Sequence, residues 1–353
     1  MNATLDGDVV RARGDARQRF YDARGYGRAD GPDVTLARVE AGHLLYRGDL
    51  ASVSGMDFRA FFRDSVASEP GFAARFLVYA DLRERGFYLA PAREGWPGST
   101  GGAGGEPDRG RGADEDILVF ERGEKPGGPV AHRVRVVGER EELTTADLVG
   151  RTLAVVDEES EVSYFGCEAG GGFDGRTEYD LPADLEADLL DDRVVCWSPP
   201  PNLYEASFYG QPISGRDDAD VDALQLSLVE AADLAARDAV ALDADAVVER
   251  GRAVEGERFD RRLSVYRELR DRGVVPKTGY KFGADFRTYD AVETVSELPH
   301  SERLVRVVQP GHRFHPRDLA LDVRLAGGVR KRMVFALAGD DSNDYLTVER
   351  LTP

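Results

Sequence analysis

The sequence predicts a mixed α/β protein, built as two tandem copies of one module. Two observations carry this reading. Short motifs recur in the same order at about half the chain length, and within each half the apolar period changes from helical to extended. YDARGYG (21–27) matches YEASFYG (204–210), and LARVEA (36–41) matches LSLVEA (226–231). FLVYADLRERG (76–86) matches LSVYRELRDRG (263–273), and AHRVRVV (131–137) matches ERLVRVV (302–308). Each copy closes with an apolar run and an acidic turn, LAVVDEESEVSYF (153–165) and VFALAGDDSNDYLTV (334–348).

The elements follow in order. Residues 36–46 and 224–236 space their apolar side chains at i, i+3, i+4 and i+7, which predicts amphipathic helices. The same spacing recurs at 72–85 and 259–272, where Gly86 and Gly273 are the predicted C-caps. Short β-branched runs then predict strands at 117–120, 134–137, 152–156, 304–308, 333–337 and 345–348. The copies are expected at 8–168 and 193–353. The second divides into a small N-terminal α/β domain (193–257) and a mixed-sheet domain (258–353). Segment 169–192, rich in Gly and acid, reads as a linker, and the Gly-rich insertion 91–116 as a disordered surface loop.

Composition narrows the function. Of 353 residues 46 are Lys or Arg and 65 are Asp or Glu, a net charge of −19. Only four of the cations are lysines, Lys125, Lys277, Lys281 and Lys331. This acidic, Lys-poor usage suits a protein kept hydrated in concentrated salt, where surface repulsion is screened within roughly 3 Å at 1 M. No apolar run is long enough to span a membrane, and the N-terminal stretch lacks the apolar core of an export signal. Cys167 and Cys196 do not make a disulfide framework, so a reducing cytoplasm is expected. Charge is uneven. Residues 261–332 hold 16 Lys+Arg against 9 Asp+Glu, a local +7, which predicts a face toward phosphate, a docking surface or a solvated arginine-rich face.

The second copy is the denser in polar functional groups. KFGADFRTY (281–289), HSERLV (300–305) and VRKRMVFA (329–336), together with YEASFYG and LSLVEA, resemble the archaeal tRNA-splicing endonucleases, the tRNA-intron lyases, over nearly the whole chain and in their duplicated single-chain form. The resemblance implies a nuclease-like mixed-sheet domain in each copy. It places a catalytic triad on Tyr289, His300 and Lys331, and two RNA-clamping arginines on Arg324 and Arg350. It further implies a homodimer in which an acidic loop, here Asp157, Glu158, Glu159 and Glu161, docks on a basic cleft of the partner. The implied substrate is precursor tRNA folded as a bulge-helix-bulge, the implied source a halophilic archaeon, and no cofactor or metal is expected.

The residue types suit RNA cleavage by its own 2′-hydroxyl. That reaction needs a base at the hydroxyl, an acid at the departing 5′-oxygen and a cation against charge on the phosphate. Histidine can give a proton at neutral pH. A tyrosine, with a reference pKa of about 10, needs a neighbouring cation to act as phenolate, and Lys331 is assigned both that task and transition-state stabilisation. Aligned on the second copy, the first places Phe120 at the tyrosine and Pro129 at the histidine, and its GRTLAVV (150–156) offers no lysine, so it is expected to be inactive.

Other readings compete. Singly, Tyr289 reads as a strand aromatic and VRKR as a solvated face. His300, His312 and His315 lie close in sequence without carboxylates or cysteines to complete a metal site. Asp285, Asp290 and Lys331 could be arranged as a metal-dependent nuclease, and the degenerate copy alone suggests a non-catalytic RNA-binding or structural subunit.

Overall fold

The computed structural model describes residues 1–93, 95–98, 115–214 and 222–353. They form two compact units. The first is Met1–Glu168 with Arg313–Leu319 and Arg350–Pro353, and the second is Ala169–His312 with Ala320–Glu349.

In the first unit β1 (Asn2–Asp6), β2 (Val9–Ala12), β3 (Arg28–Asp30), β4 (Asp33–Ala37) and β5 (Ser52–Val53) pair in the order β3-β4-β2-β1-β5. The helices α1 (Arg38–Tyr46), α2 (Phe58–Ser68) and α3 (Phe72–Glu84) follow. Then come β6 (Leu89–Pro91), β7 (Ile117–Phe120), β8 (Val130–Gly138), α4 (Thr145–Leu148), β9 (Arg151–Val156) and β10 (Val162–Ala169). These strands neighbour one another in chain order, antiparallel except for the parallel pair β8–β9.

The second unit repeats the plan. Strands β11 (Ala187–Leu189), β12 (Arg193–Trp197), β13 (Gln211–Pro212) and β14 (Ala223–Ser227) pair as β11-β12-β14-β13, with α5 (Pro201–Glu205) between β12 and β13. Helices α6 (Leu228–Ala236), α7 (Ala244–Glu255) and α8 (Arg258–Asp271) lead to β15 (Val275–Thr278), β16 (Phe286–Tyr289), β17 (Arg303–Val308), α9 (Pro316–Gly328), β18 (Arg332–Ala338) and β19 (Asn343–Leu351). Again only one neighbouring pair, β17–β18, is parallel. Register confirms the equivalence of the copies. Ile117 faces Val134 as Phe286 faces Val305, and Val134 faces Thr152 as Val305 faces Val334.

Three predicted boundaries change. Leu36, Ala37 and residues 224–227 are strand, not helix, because α6 starts only where the Ser227 hydroxyl and the Glu230 carboxylate close a capping box. Ala187–Leu189, inside the expected linker, is an edge strand too short and too acidic to show an alternating pattern. Most of the insertion 91–116 lies outside the described residues, but Trp96 within it is buried and its indole N–H reaches toward Glu40.

The repeated motifs meet in space. In the first unit Tyr26 stacks on the Arg83 guanidinium at 4.0 Å, and in the second Tyr209 stacks on Arg270 at 3.7 Å. The following glycines, Gly27 and Gly210, have positive φ, and a Cβ there would lie 2.4 Å from the Thr35 carbonyl oxygen or 2.7 Å from that of Gln225. Their amides donate to Glu40 and Glu230. Apolar triplets at one spacing, Phe76/Tyr79/Leu82 and Leu263/Tyr266/Leu269, fill the two separate cores, each side chain contributing about 1.5–3 kcal/mol. Gly86 and Gly273 end their helices with positive φ as predicted.

Candidate active site

Tyr289 ends β16, His300 lies three residues before β17, and Lys331 immediately precedes β18. Since β16 runs antiparallel to β17 and β17 parallel to β18, the three positions fall at one end of three adjacent strands, which stand about 4.8 Å apart. Glu302 joins them through its backbone. Its amide donates to the Thr288 carbonyl, and its carbonyl accepts from Arg332 N–H. Lys331 then closes on the histidine turn, its ammonium donating to the Ser301 carbonyl at 2.5 Å.

Each side chain has a local cause. Tyr289 is 6% exposed, its ring edge-on to Phe208 at 5.9 Å. The next residue, Asp290, accepts from Arg303 through both oxygens at 2.9 Å, and this buried pair clamps the end of β16 to β17. His300 is exposed on the turn between Leu298 and the buried Ser301. Lys331 follows a left-handed turn at Arg330 (φ 58°) that leaves its amide bonded to Ala326 at the end of α9. Burial, then the like charge of Arg287, lowers the Lys331 pKa below the ordinary lysine value.

Sequence reasoning gave Arg287 no role and overlooked the Asp290–Arg303 clamp. Strand alternation places Arg287 on the face of Tyr289, whose ring centroid lies 6.0 Å from its guanidinium. Its Nε is buried without a hydrogen-bond partner among the described residues. Period-2 counting from Tyr289 was the available signal for Arg287. A buried ion pair has none, since Asp and Arg in a loop and strand start read as surface.

The remaining candidates are dispersed. Arg324 is exposed on α9, seven residues before Lys331, and makes no hydrogen bond or ion pair among the described residues. Arg350 is exposed near the end of β19, among the residues that group with the first unit. Asp157, Glu158, Glu159 and Glu161 form the β9–β10 turn. The Asp157 carboxylate accepts from the amides of Glu159 and Glu161, both at 2.9 Å, and the three glutamates are exposed, Glu158 in an ion pair with Arg140.

The +7 count overstated the free positive charge. Arg262 pairs with Glu255 and Asp285, Lys277 with Glu230, Arg303 with Asp290, and Arg306 with Asp322. Lys281, Arg324, Arg330 and Arg332 remain exposed. The carboxylates of the metal-nuclease alternative are engaged as well: Asp285 accepts from Arg258 and the Val307 amide, and Asp290 from Arg303. They flank β16 at opposite ends, about 16 Å apart at the strand rise, so one ion would not bridge them. No group of three or more His, Cys, Asp or Glu positioned to hold a metal occurs among the described residues.

By register, Phe120 stands at the Tyr289 position and Val149 at that of Lys331, and the same alignment puts Pro129 opposite His300. The first copy thus carries no phenol, imidazole or amine there.

Comparison with known families agrees with this asymmetry. The model of the tRNA intron endonuclease catalytic C-terminal domain matches residues 259–347, and that of the N-terminal domain matches both 1–62 and 185–247. A tRNA-splicing endonuclease of Haloarcula marismortui is 55% identical over 358 residues, covering all of both chains. The chain belongs to the tRNA-splicing endonuclease family. Another member, from Halobacterium salinarum, is 56% identical over 361 residues with full coverage of both, and one from Methanococcoides burtonii is 34% identical over 378 residues, covering 99% of each. The tRNA-splicing endonuclease resemblance read from the motifs is therefore correct, as are the mixed α/β class and the enzyme assignment. Tyr289, His300 and Lys331 all fall within the catalytic-domain match. Among the described residues no helix is long and apolar enough to cross a membrane.

Proposed function

We propose that this endonuclease excises introns from precursor tRNA at bulge-helix-bulge sites, by a metal-independent transesterification in the second copy. The observation carrying the reading is the convergence of Tyr289, His300 and Lys331 at one strand end, with Phe120, Pro129 and Val149 at the equivalent places of the first copy. Tyr289 takes the proton of the 2′-hydroxyl, the 2′-oxygen bonds to phosphorus, the P–O5′ bond breaks, and His300 gives its proton to the leaving 5′-oxygen. Lys331 holds the charge on the non-bridging oxygens. The products are a 2′,3′-cyclic phosphate and a 5′-hydroxyl.

Arg324 and Arg350 are proposed to stack on bulged bases, an interaction that planar guanidinium groups support. The chain is proposed to act as a homodimer in the cytoplasm, the glutamates of the Asp157–Glu161 turn entering a basic cleft of the partner. Cleavage of an intron-bearing precursor in excess EDTA tests the mechanism. Undiminished rates with cyclic-phosphate ends are expected, whereas loss in EDTA and recovery with Mg²⁺ would overturn it.

A further inference from the structure

Tyr280 is 86% exposed, the most exposed large apolar side chain among the described residues. The fold displays it on a stiff support. Residues 280–282 make a single 3₁₀ turn between two glycines. A Cβ on Gly279 would sit 2.9 Å from the Ala284 carbonyl oxygen, and Gly283 has φ +71°. Amides of Phe282 and Gly283 donate to the carbonyls of Gly279 and Tyr280, and Arg306 donates to the Gly283 carbonyl at 2.7 Å. The same turn touches the candidate active site, because the Lys331 ammonium lies 5.8 Å from the centroid of the Phe282 ring. Two residues of such a turn advance about 4 Å, so the solvent-facing phenol stands one short step from the ring beside Lys331. Between them lies Lys281, an exposed member of a set of only four lysines.

We infer that the 279–283 turn is a nucleobase platform: Tyr280 stacks on an unpaired base next to the scissile phosphate, while Lys281 contacts the RNA backbone. The inference rests on the endonuclease reading above and adds a contact to it. Base–aromatic stacking tolerates any base and depends little on counterion release, so it persists where salt weakens phosphate contacts. A protein partner is the competing occupant. The apolar stripe of Leu321 and Leu325 on α9 borders the turn, Leu325 lying 3.9 Å from a Cβ built on Gly283. The adjoining Lys281 and Lys331 favour an anionic polymer instead.

The test uses the full chain and a bulged RNA with 2-aminopurine at the unpaired nucleotide flanking the cut and a 2′-deoxy sugar that removes the nucleophile. At about 2 M KCl, Tyr280→Ala is expected to raise Kd about tenfold and abolish the fluorescence quench, while Tyr280→Phe and Tyr280→Trp bind as the parent does. Lys281→Ala should lower the slope of log K against log salt by about 0.7, and Tyr280→Ala should leave it unchanged. Parent-like binding by Tyr280→Ala would overturn the platform. So would a change in particle mass in that variant, which would assign the ring to a protein contact. Cleavage of the 2′-deoxy RNA would instead defeat the transesterification reading.

Discussion

Lys331 is held by one carbonyl, that of Ser301, and its charge is disfavoured by burial and by Arg287. A lysine with a lowered pKa gives up its proton at a lower pH. Cleavage that needs the ammonium should therefore decline on the alkaline side below the ordinary lysine value of about 10.4. Arg287→Gln removes the like charge, so the decline should move to higher pH in single-turnover rates measured across the alkaline range. An unmoved limb would separate Arg287 from Lys331. Each of the three proposed catalytic groups sits beside a backbone or ion-pair anchor, the Asp290–Arg303 clamp at Tyr289 and the Ser301 carbonyl at His300 and Lys331. Those anchors hold the geometry that proximity catalysis requires.

At the scale of elements, the two copies treat the same buried glutamate differently. Burial pushes Glu40 up to about 7 against the amides of Ala37 and Gly27. Burial also opposes ionisation of Glu230, but Lys277 and the Ser227 donors outweigh it and bring the group down to about 2. By the offset of the helix motifs the first copy has Ala90 in place of Lys277. Side chains of Lys277 and Glu230 are 10% and 9% exposed, so Lys277→Met should strand a buried carboxylate and cost about 3–5 kcal/mol in denaturant unfolding. Adding Glu230→Gln should recover part of that loss. Most of this architecture was legible in the sequence, because α3 and α8 keep their apolar triplets and glycine stops and the VRVV strands keep their register. The three-residue β11 was not, being shorter than one alternation can show. The proposed triad could be read only from the motifs taken as a set. What escaped was pairwise: the Asp290–Arg303 clamp, the arginines neutralised by carboxylates distant in sequence, and the indole of Trp96 buried from a glycine-rich segment.

For the whole molecule, one acidic turn is proposed to set the assembly. Asp157 organises that turn through its own backbone contacts, whereas Glu158, Glu159 and Glu161 face outward. Replacing the three glutamates with glutamine should leave the secondary structure unchanged by circular dichroism, since exposed charges contribute little to folding. It should also reduce the particle mass from dimer to monomer in light scattering. A dimer that survives the triple replacement would remove the turn from the interface. The scarcity of lysine has a practical consequence as well. Lys277 is nearly covered, paired with Glu230, so acylating reagents meet Lys125 in the first copy, Lys281 in the second and the partly covered Lys331, whose lowered pKa favours the reactive neutral amine. Lysine labelling of this chain therefore carries a built-in reference on one copy, Lys125, and reporters on the other, Lys281 beside Tyr280 and Lys331 at the candidate site.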